Sequence, residues 1–423
     1  MLALIQGRLQ ASLSAKVRHK VDQSANVAKE KASLAEATSA SLSSQFPRHA
    51  VEVNDVDTIA FSIAKAMMIM KAQAFAQGYS GVKLRTLERM IWMTEQNIIP
   101  AVPSQTASDT SEDDALEAFF SPLVGQGKVY YKGGVVPAKM ALKTYGMSPL
   151  QLGEHERKAL VTGSQLIAAY SVYALNRLHN AAEVADLAGA LSLEGLQGSY
   201  HPFKAQRDDT RPLRGNQLVA HRLWQLLHTS EIASTHIEPT TNPDSLRYMP
   251  NVHGAVRTAW LHLKELTEIE INAANNGSPD NLPLALAIDY VAASAGKLRD
   301  ISERRCQQLT ERYPVLRTEF IPTSTNHAVI PNTTGACYLD IVINDLEYLL
   351  ASELRLASLA LGFQRPRKSS ETLEVCQALA SSEGNIKKLQ HLISSGQLLA
   401  EANRAAEAAG LKLLNTAFSS FEI

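Results

Sequence analysis

The sequence predicts an all-α protein, and three observations carry that prediction. Leu339, Ile343, Leu346, Leu350, Leu354, Ala357 and Leu361 fall three or four apart and form one apolar stripe, the signature of a long helix with a buried face. Leu284, Ile288, Val291, Ala295, Leu298 and Ile301 are spaced nearly as a heptad, as where helices run side by side in a bundle. No stretch sustains the two-residue alternation of a half-buried strand. Composition agrees, since 423 residues with 45% apolar content can bury a large core and only 6% are aromatic.

From the N-terminus, Leu13, Val17 and Val21 stand four apart in a polar, Ala-rich segment, residues 1–54, which reads as a loosely packed helix leading into a mobile Ser-rich run, Ser33 to Ser44. Residues 55–423 read as a single helical domain with no fixed-period repeat and no composition break. Within it, an acidic loop spans Ser104 to Asp114. Tyr130-Tyr131-Lys132-Gly133-Gly134-Val135-Val136 is the only plausible hairpin, with Gly-Gly at its turn. Gln165 to Leu196 carries helical periodicity, and Glu238 to Pro250 and Asn275 to Pro283 read as loops.

Several function classes lack any support. A formal charge of −1 gives no electrostatic footprint for nucleic acid or an anionic membrane. Cys306, Cys337 and Cys376 are widely spaced, which indicates neither a zinc site nor disulfides and fits a reducing cytoplasm. Leu2 to Ile5 is too short for a signal peptide, and no stretch has membrane-helix length. His201, His221, His228, His253 and His262 fall on predicted helices or their edges without metal-ligand grouping, and His49 reads as structural; no metal is expected. There is no Gly-rich phosphate loop, no G-x-S-x-G elbow and no Cys-His nucleophile signature.

What the chain does carry is a series of motifs in order. They begin with Ala76-Gln77-Gly78-Tyr79-Ser80-Gly81-Val82, Glu88-Arg89 and Ile99-Pro100-Ala101-Val102-Pro103-Ser104-Gln105. Thr162-Gly163-Ser164-Gln165, Ser192-Leu193-Glu194-Gly195-Leu196-Gln197-Gly198-Ser199 and Arg211-Pro212 follow, then Asn242-Pro243-Asp244-Ser245-Leu246-Arg247, Ser302-Glu303-Arg304-Arg305 and Ile321-Pro322-Thr323-Ser324. Together they resemble the histidine and phenylalanine ammonia-lyase family, over roughly residues 55 to 365. The resemblance implies a long-helix bundle of the ammonia-lyase and fumarase-aspartase type and a homotetramer. It also implies a methylidene-imidazolone electrophile made from an Ala-Ser-Gly triplet.

At that triplet this chain has Thr110-Ser111-Glu112, followed by Asp113. Cyclisation needs the third residue's amide nitrogen to attack the first residue's carbonyl, a tight approach that Gly permits and a Cβ obstructs. The electrophile is therefore not expected here, and no other cofactor is indicated. Two readings of the run stand. Thr110 or Ser111 can be the N-cap of a helix whose first turn holds Glu112, Asp113 and Asp114, or Glu112 or Asp113 can be a general base in a pocket that once held an electrophile.

Other positions depart from the family pattern too. The Tyr-bearing loop that supplies the family's base has no counterpart between Ala11 and Ala60. Thr162 replaces the Asn of Asn-Gly-Thr-Gln, Asp244 replaces the Tyr of Asp-Pro-Tyr-Ser-Leu-Arg, and His327 stands in the late Gln-Glu-Asp-His element. Arg247 matches the residue that holds the substrate carboxylate in the family, and a guanidinium fork suits that role; a structural ion pair with Asp244 is the alternative. Asp244 itself serves as a base or as turn chemistry. The candidate site is thus Glu112, Asp244, His327, Thr110 and Ser111 for chemistry, with Arg247, Thr162, Gln165 and Tyr79 for an amino-acid-like substrate. Three functions fit: a cofactor-independent carbon–nitrogen lyase, a non-catalytic binding or assembly descendant, and a conventional ammonia-lyase or aminomutase.

Overall fold

The computed structural model describes residues 13–36, 59–102, 112–207, 213–235, 242–273, 282–319 and 335–410. The chain gathers into two compact units, one formed by Met1–Tyr173, Glu265–Ala285 and Asn332–Cys337, the other by Ala174–Lys264, Leu286–Pro331 and Tyr338–Ile423.

In the first unit, α1 spans Ala15–Glu36. Helix therefore covers Ser33 to Glu36, where the sequence reads as the start of a loop. Of the three apolar positions on this segment Val21 is buried. Next, α2 (Phe61–Ala76) is apolar all round and buries Ile63, Met67, Met68, Met70 and Phe75, as a helix with no polar face must. It packs against α3 (Leu84–Glu95) and against β1 (Ile99–Ala101). Then come α4 (Glu112–Phe120), β2 (Lys128–Tyr131), β3 (Gly134–Pro137), α5 (Ala138–Thr144) and α6 (Glu154–Val161).

The predicted hairpin is present, with a turn one residue earlier than expected. Lys132 (φ 51°) and Gly133 (φ 81°) are its two central residues, while Gly134 already pairs with Tyr131. Two successive left-handed residues match the twist of the flanking strands. A third strand was not foreseen: β1 pairs antiparallel with β2, Pro100 facing Val129 in register. Three residues are too few to show alternation, and its proline sits on an edge strand, where no ladder donor is needed on the outer side.

The second unit is built from long helices. Helix α7 (Gln165–Gly195) covers the predicted Gln165–Leu196 stretch almost completely, and its residues from Ala174 onward belong here. It is followed by α8 (His201–Arg207), α9 (Arg214–Leu227), α10 (Glu231–Ser234), α11 (Asp244–Arg247), α12 (Met249–Asn272), α13 (Leu282–Arg312) and α14 (Gly335–Gly362), of which the end of α12 from Glu265 and the starts of α13 and α14 through Ala285 and Cys337 belong to the first unit. The chain continues with α15 (Glu371–Ser382), α16 (Ile386–Ser394) and α17 (Gln397–Ala408), which pack on one another. Both predicted stripes are real: Leu339 to Leu361 are buried along α14, and Leu284 to Leu298 along α13, with Ile301 half-buried.

Three expected loops prove shorter. Pro250 and Pro283 stand at the second residue of α12 and of α13, where a missing N–H leaves no bond unmade, so proline opens a helix there. The loop reading of Glu238 to Pro250 accordingly gives way to α11 and the start of α12. That of Ser104 to Asp114 ends at Glu112, the first residue of α4. Among the described residues no helix is long and apolar enough to cross a membrane.

Candidate active site

Residues Asn242–Tyr248 form a polar corner at the surface of the second unit. Pro243, extended at φ −62° and ψ 158°, caps α11, and its carbonyl accepts the N–H groups of Leu246 and Arg247, both at 3.0 Å. Inward-facing residues pin the corner. Asn242 makes a reciprocal pair with Ser199, accepting its N–H at 2.8 Å and donating to its carbonyl at 2.7 Å. Ser245 donates to Gln308 at 2.5 Å, its carbonyl accepts from Arg305 at 3.3 Å, and Leu246 is buried.

Beneath the corner lies a fully buried ion pair. Arg305 meets Glu353 through Nε at 2.5 Å and Nη2 at 3.0 Å, and the same carboxylate accepts from Ser192 at 2.7 Å and Ser302 at 2.5 Å. Four donors satisfy both oxygens, which is the condition under which a buried charge pair is tolerated.

Asp244, Arg247 and Tyr248 face outward. Arg247 donates to Asp244 Oδ1 at 2.7 Å and to the Tyr248 hydroxyl at 3.0 Å, and its guanidinium lies 4.8 Å from the Tyr248 ring centroid. Its side chain is 47% exposed and that of Asp244 75%, so the pair is reachable from solvent. At such exposure it contributes no more than about 1 kcal/mol. Holding the fork in one orientation is its main effect. Tyr248, which the sequence reading passed over, adds a phenol and a ring face to Arg247; its position next to the Arg was the available signal.

In the first unit, two further candidates converge on a lysine the sequence reading also missed. Lys71 of α2 is 1% exposed; its ammonium donates to the Thr162 carbonyl and, at 3.2 Å, to Gln165 Oε1. Its ring neighbours are Phe75 at 5.3 Å and Phe120, at the end of α4, at 5.9 Å. None of these partners is a carboxylate, and burial pushes the amine down to about 7. The visible signal was a single charge inside Met67-Met68-Ile69-Met70-Lys71-Ala72. Gly163, at φ 117°, lets the Thr162–Gln165 loop close, because a Cβ there would stand 2.5 Å from Gln165 Oε1. The Thr162 hydroxyl turns away to the Lys158 carbonyl at 2.9 Å.

Tyr79 is 64% exposed with the Lys20 ammonium 4.5 Å above its ring. Glu112 opens α4, where the capping alternative puts the first turn. Thr110, Ser111 and His327 lie outside the described residues, as does Asp113's side chain. The five histidines read from the sequence include one built into a dyad: His253 Nδ1 meets Asp186 Oδ1 at 2.8 Å, in a buried network with Arg257, Arg222 and Glu183. Burial pushes the imidazole down despite the carboxylate beside it.

Residues 30–315 match the profile of the aromatic amino acid lyases. Histidine ammonia-lyase of Myxococcus xanthus (strain DK1622) is 35% identical over 263 residues, 58% of this chain and 52% of that protein. Histidine ammonia-lyase of Chloroflexus aurantiacus is 30% identical over 382 residues, 76% of this chain and 73% of that protein. Among solved structures, histidine ammonia-lyase from Trypanosoma cruzi superposes with a TM-score of 0.74 at 20% identity, over 98% of this chain and 95% of that one. The chain belongs to the aromatic amino acid lyase family. It spans about half the length of the myxobacterial relatives it matches.

Proposed function

We propose that this chain is a carbon–nitrogen lyase for a small amino acid or amino-acid analogue, working without the methylidene-imidazolone electrophile usual in the family. The Arg247 corner carries this reading, because it presents an oriented guanidinium at the position where the family grips a substrate carboxylate. The residues of the triplet do not fit the electrophile: Glu112 brings a Cβ to the position where ring closure needs glycine, and its backbone opens α4.

In the proposed reaction the substrate carboxylate takes the bidentate face of Arg247 and displaces Asp244 from it. The freed Asp244 carboxylate then stands beside the bound substrate as the base that removes the β-proton. The C–H electrons form the new double bond, and the C–N electrons leave with the nitrogen. Without an electrophile on that nitrogen, the substrate must bring its own advantage, either a quaternary ammonium leaving group or a C–H acidified by a neighbouring carbonyl. Glu112, Thr110, Ser111 and His327 are the remaining candidates for acid or base work. Thr162, Gln165 and Tyr79 of the first unit are proposed separately as ligand contacts, and a homotetramer for the assembly.

One observation favours a second reading, a non-catalytic binding descendant: the Arg247 fork already has Asp244 as a partner. Intact mass and substrate screening separate the possibilities. The full mass predicted by the sequence is expected, and a mass lighter by two waters would restore a conventional ammonia-lyase. Incubation with a panel of amino acids and betaines should then release ammonia or an amine from at least one, with loss on Asp244→Asn. A panel left entirely unchanged would favour the binding descendant.

A further inference from the structure

In the first unit a cleft of about 650 Å³ opens between α1 and the Gly78–Gly81 turn, with His155 at the start of α6 as its third wall. That volume lies within the range of small-molecule sites, about 300–1,000 Å³.

The walls are joined by specific bonds. Gly81 donates its N–H to Ser24 Oγ at 2.9 Å, and His155 Nε2 bonds the Ser80 carbonyl at 3.0 Å. Gly81 has φ 65°, and a Cβ on it would stand 2.5 Å from Ala28 Cβ and 2.6 Å from His155 Nε2. The cleft therefore exists in this form only with glycine at the turn.

Its chemistry is one-sided. Lys20 sets an ammonium 4.5 Å above the Tyr79 ring, and Gln23 adds an amide. None of its described lining residues is acidic. Beside the cation, Tyr79 (64% exposed) and Val27 (50% exposed) leave apolar surface open to solvent. A cation stacked on an exposed ring, beside a branched aliphatic side chain, recognises a molecule with an anionic head and an apolar body.

We propose that this cleft binds a small aromatic carboxylate, its head at Lys20 and its ring against Tyr79 and Val27. The proposal goes beyond the lyase reading: it shares Tyr79 with that reading but does not rest on Arg247 or Asp244.

The test is calorimetric titration of the full-length chain with benzoate, and with benzylamine as a charge-reversed probe of the same shape. Benzoate should show a saturable component weakened at least tenfold by Lys20→Met and by Tyr79→Ala, and unchanged by Arg247→Ala. Benzylamine should not saturate. Both cleft positions are exposed, so the variants should melt within about 2 °C of the parent, which confirms folding. Benzoate binding indifferent to Lys20→Met, or equal binding of benzylamine, would overturn the proposal. Binding lost only in Arg247→Ala would overturn it while supporting the carboxylate anchor of the lyase reading. A Lys20-dependent component surviving alongside an inert Arg247 would do the reverse.

Discussion

Replacing Lys71 by methionine should stabilise the protein at neutral pH, although it deletes two hydrogen bonds from the interior. Burial lowers the amine from 10.5 to about 7; at about 1.4 kcal/mol per pH unit, the fully charged lysine stands about 5 kcal/mol less stable inside the fold than in water. At pH 7 most of that cost, roughly 4 kcal/mol, still weighs on the folded state. Methionine removes it and fits a helix already lined by Met67, Met68 and Met70. Against this, the Thr162 carbonyl and Gln165 lose a buried donor, at about 1–3 kcal/mol. The balance favours the variant by about 1–3 kcal/mol at pH 7.

The sign of the pH dependence is fixed as well. A base whose folded pKa is depressed leaves the unfolded chain holding the extra proton, so stability rises with pH between about 7 and 10.5. Urea midpoints followed by circular dichroism between pH 7 and 8.5 should show the parent gaining on Lys71→Met by about 1 kcal/mol per pH unit. Above pH 9 the Cys376 thiol, pushed up to about 12 by burial, opposes this trend, so the window ends below it. A variant less stable than the parent at pH 7, with the slope intact, would refute the desolvation argument.

Glu194 should act in the opposite sense: burial pushes its carboxyl up to about 7 between Ser230 and Ser369, so its contribution fades as pH rises from 4.5 through 7. Glu194→Gln should therefore gain about 3 kcal/mol on the parent between pH 4.5 and pH 8 in denaturant titrations, and equal loss at both pH values would show that the carboxyl is ionised throughout. Glu353→Ala should cost about 3–5 kcal/mol, since it strands the fully buried Arg305, and the double variant with Arg305→Met should recover most of it; additive losses would contradict the pairing. At the corner, Asp244→Asn should leave the fold intact and weaken its hold on Arg247, changing the melting temperature by less than about 2 °C. A larger fall would make the pair structural.

The long helices were legible because their apolar periodicity persists over many turns, as in Leu339 to Leu361. Short elements were not: β1 has three residues, and α11 is a single turn formed by residues that also spell a loop, Asn242-Pro243-Asp244-Ser245. Pro250 and Pro283, read as the last residues of loops, instead stand at the second position of helices, a distinction that periodicity does not resolve. At the corner, the residues offered Arg247 either a substrate carboxylate or Asp244 as partner, and the i, i+3 spacing within one helical turn brings Asp244 to 2.7 Å from it. Lys71 and Tyr248 escaped because a functional motif read by order says nothing about which side chains from outside it will turn toward it. Lys71 meets Gln165 across 94 positions of chain.

The alternation along Asn242 to Tyr248 has a consequence for how such a protein changes over generations. Asn242, Ser245 and Leu246 anchor the backbone, while Asp244, Arg247 and Tyr248 project from it. A substitution at a projecting position alters what a visiting molecule meets without loosening the anchorage, and one at an anchoring position loosens the corner without altering its chemistry. What this corner presents to solvent can therefore be rewritten one residue at a time on an unchanged frame. The exchange of a family tyrosine for Asp244 is a substitution of that kind.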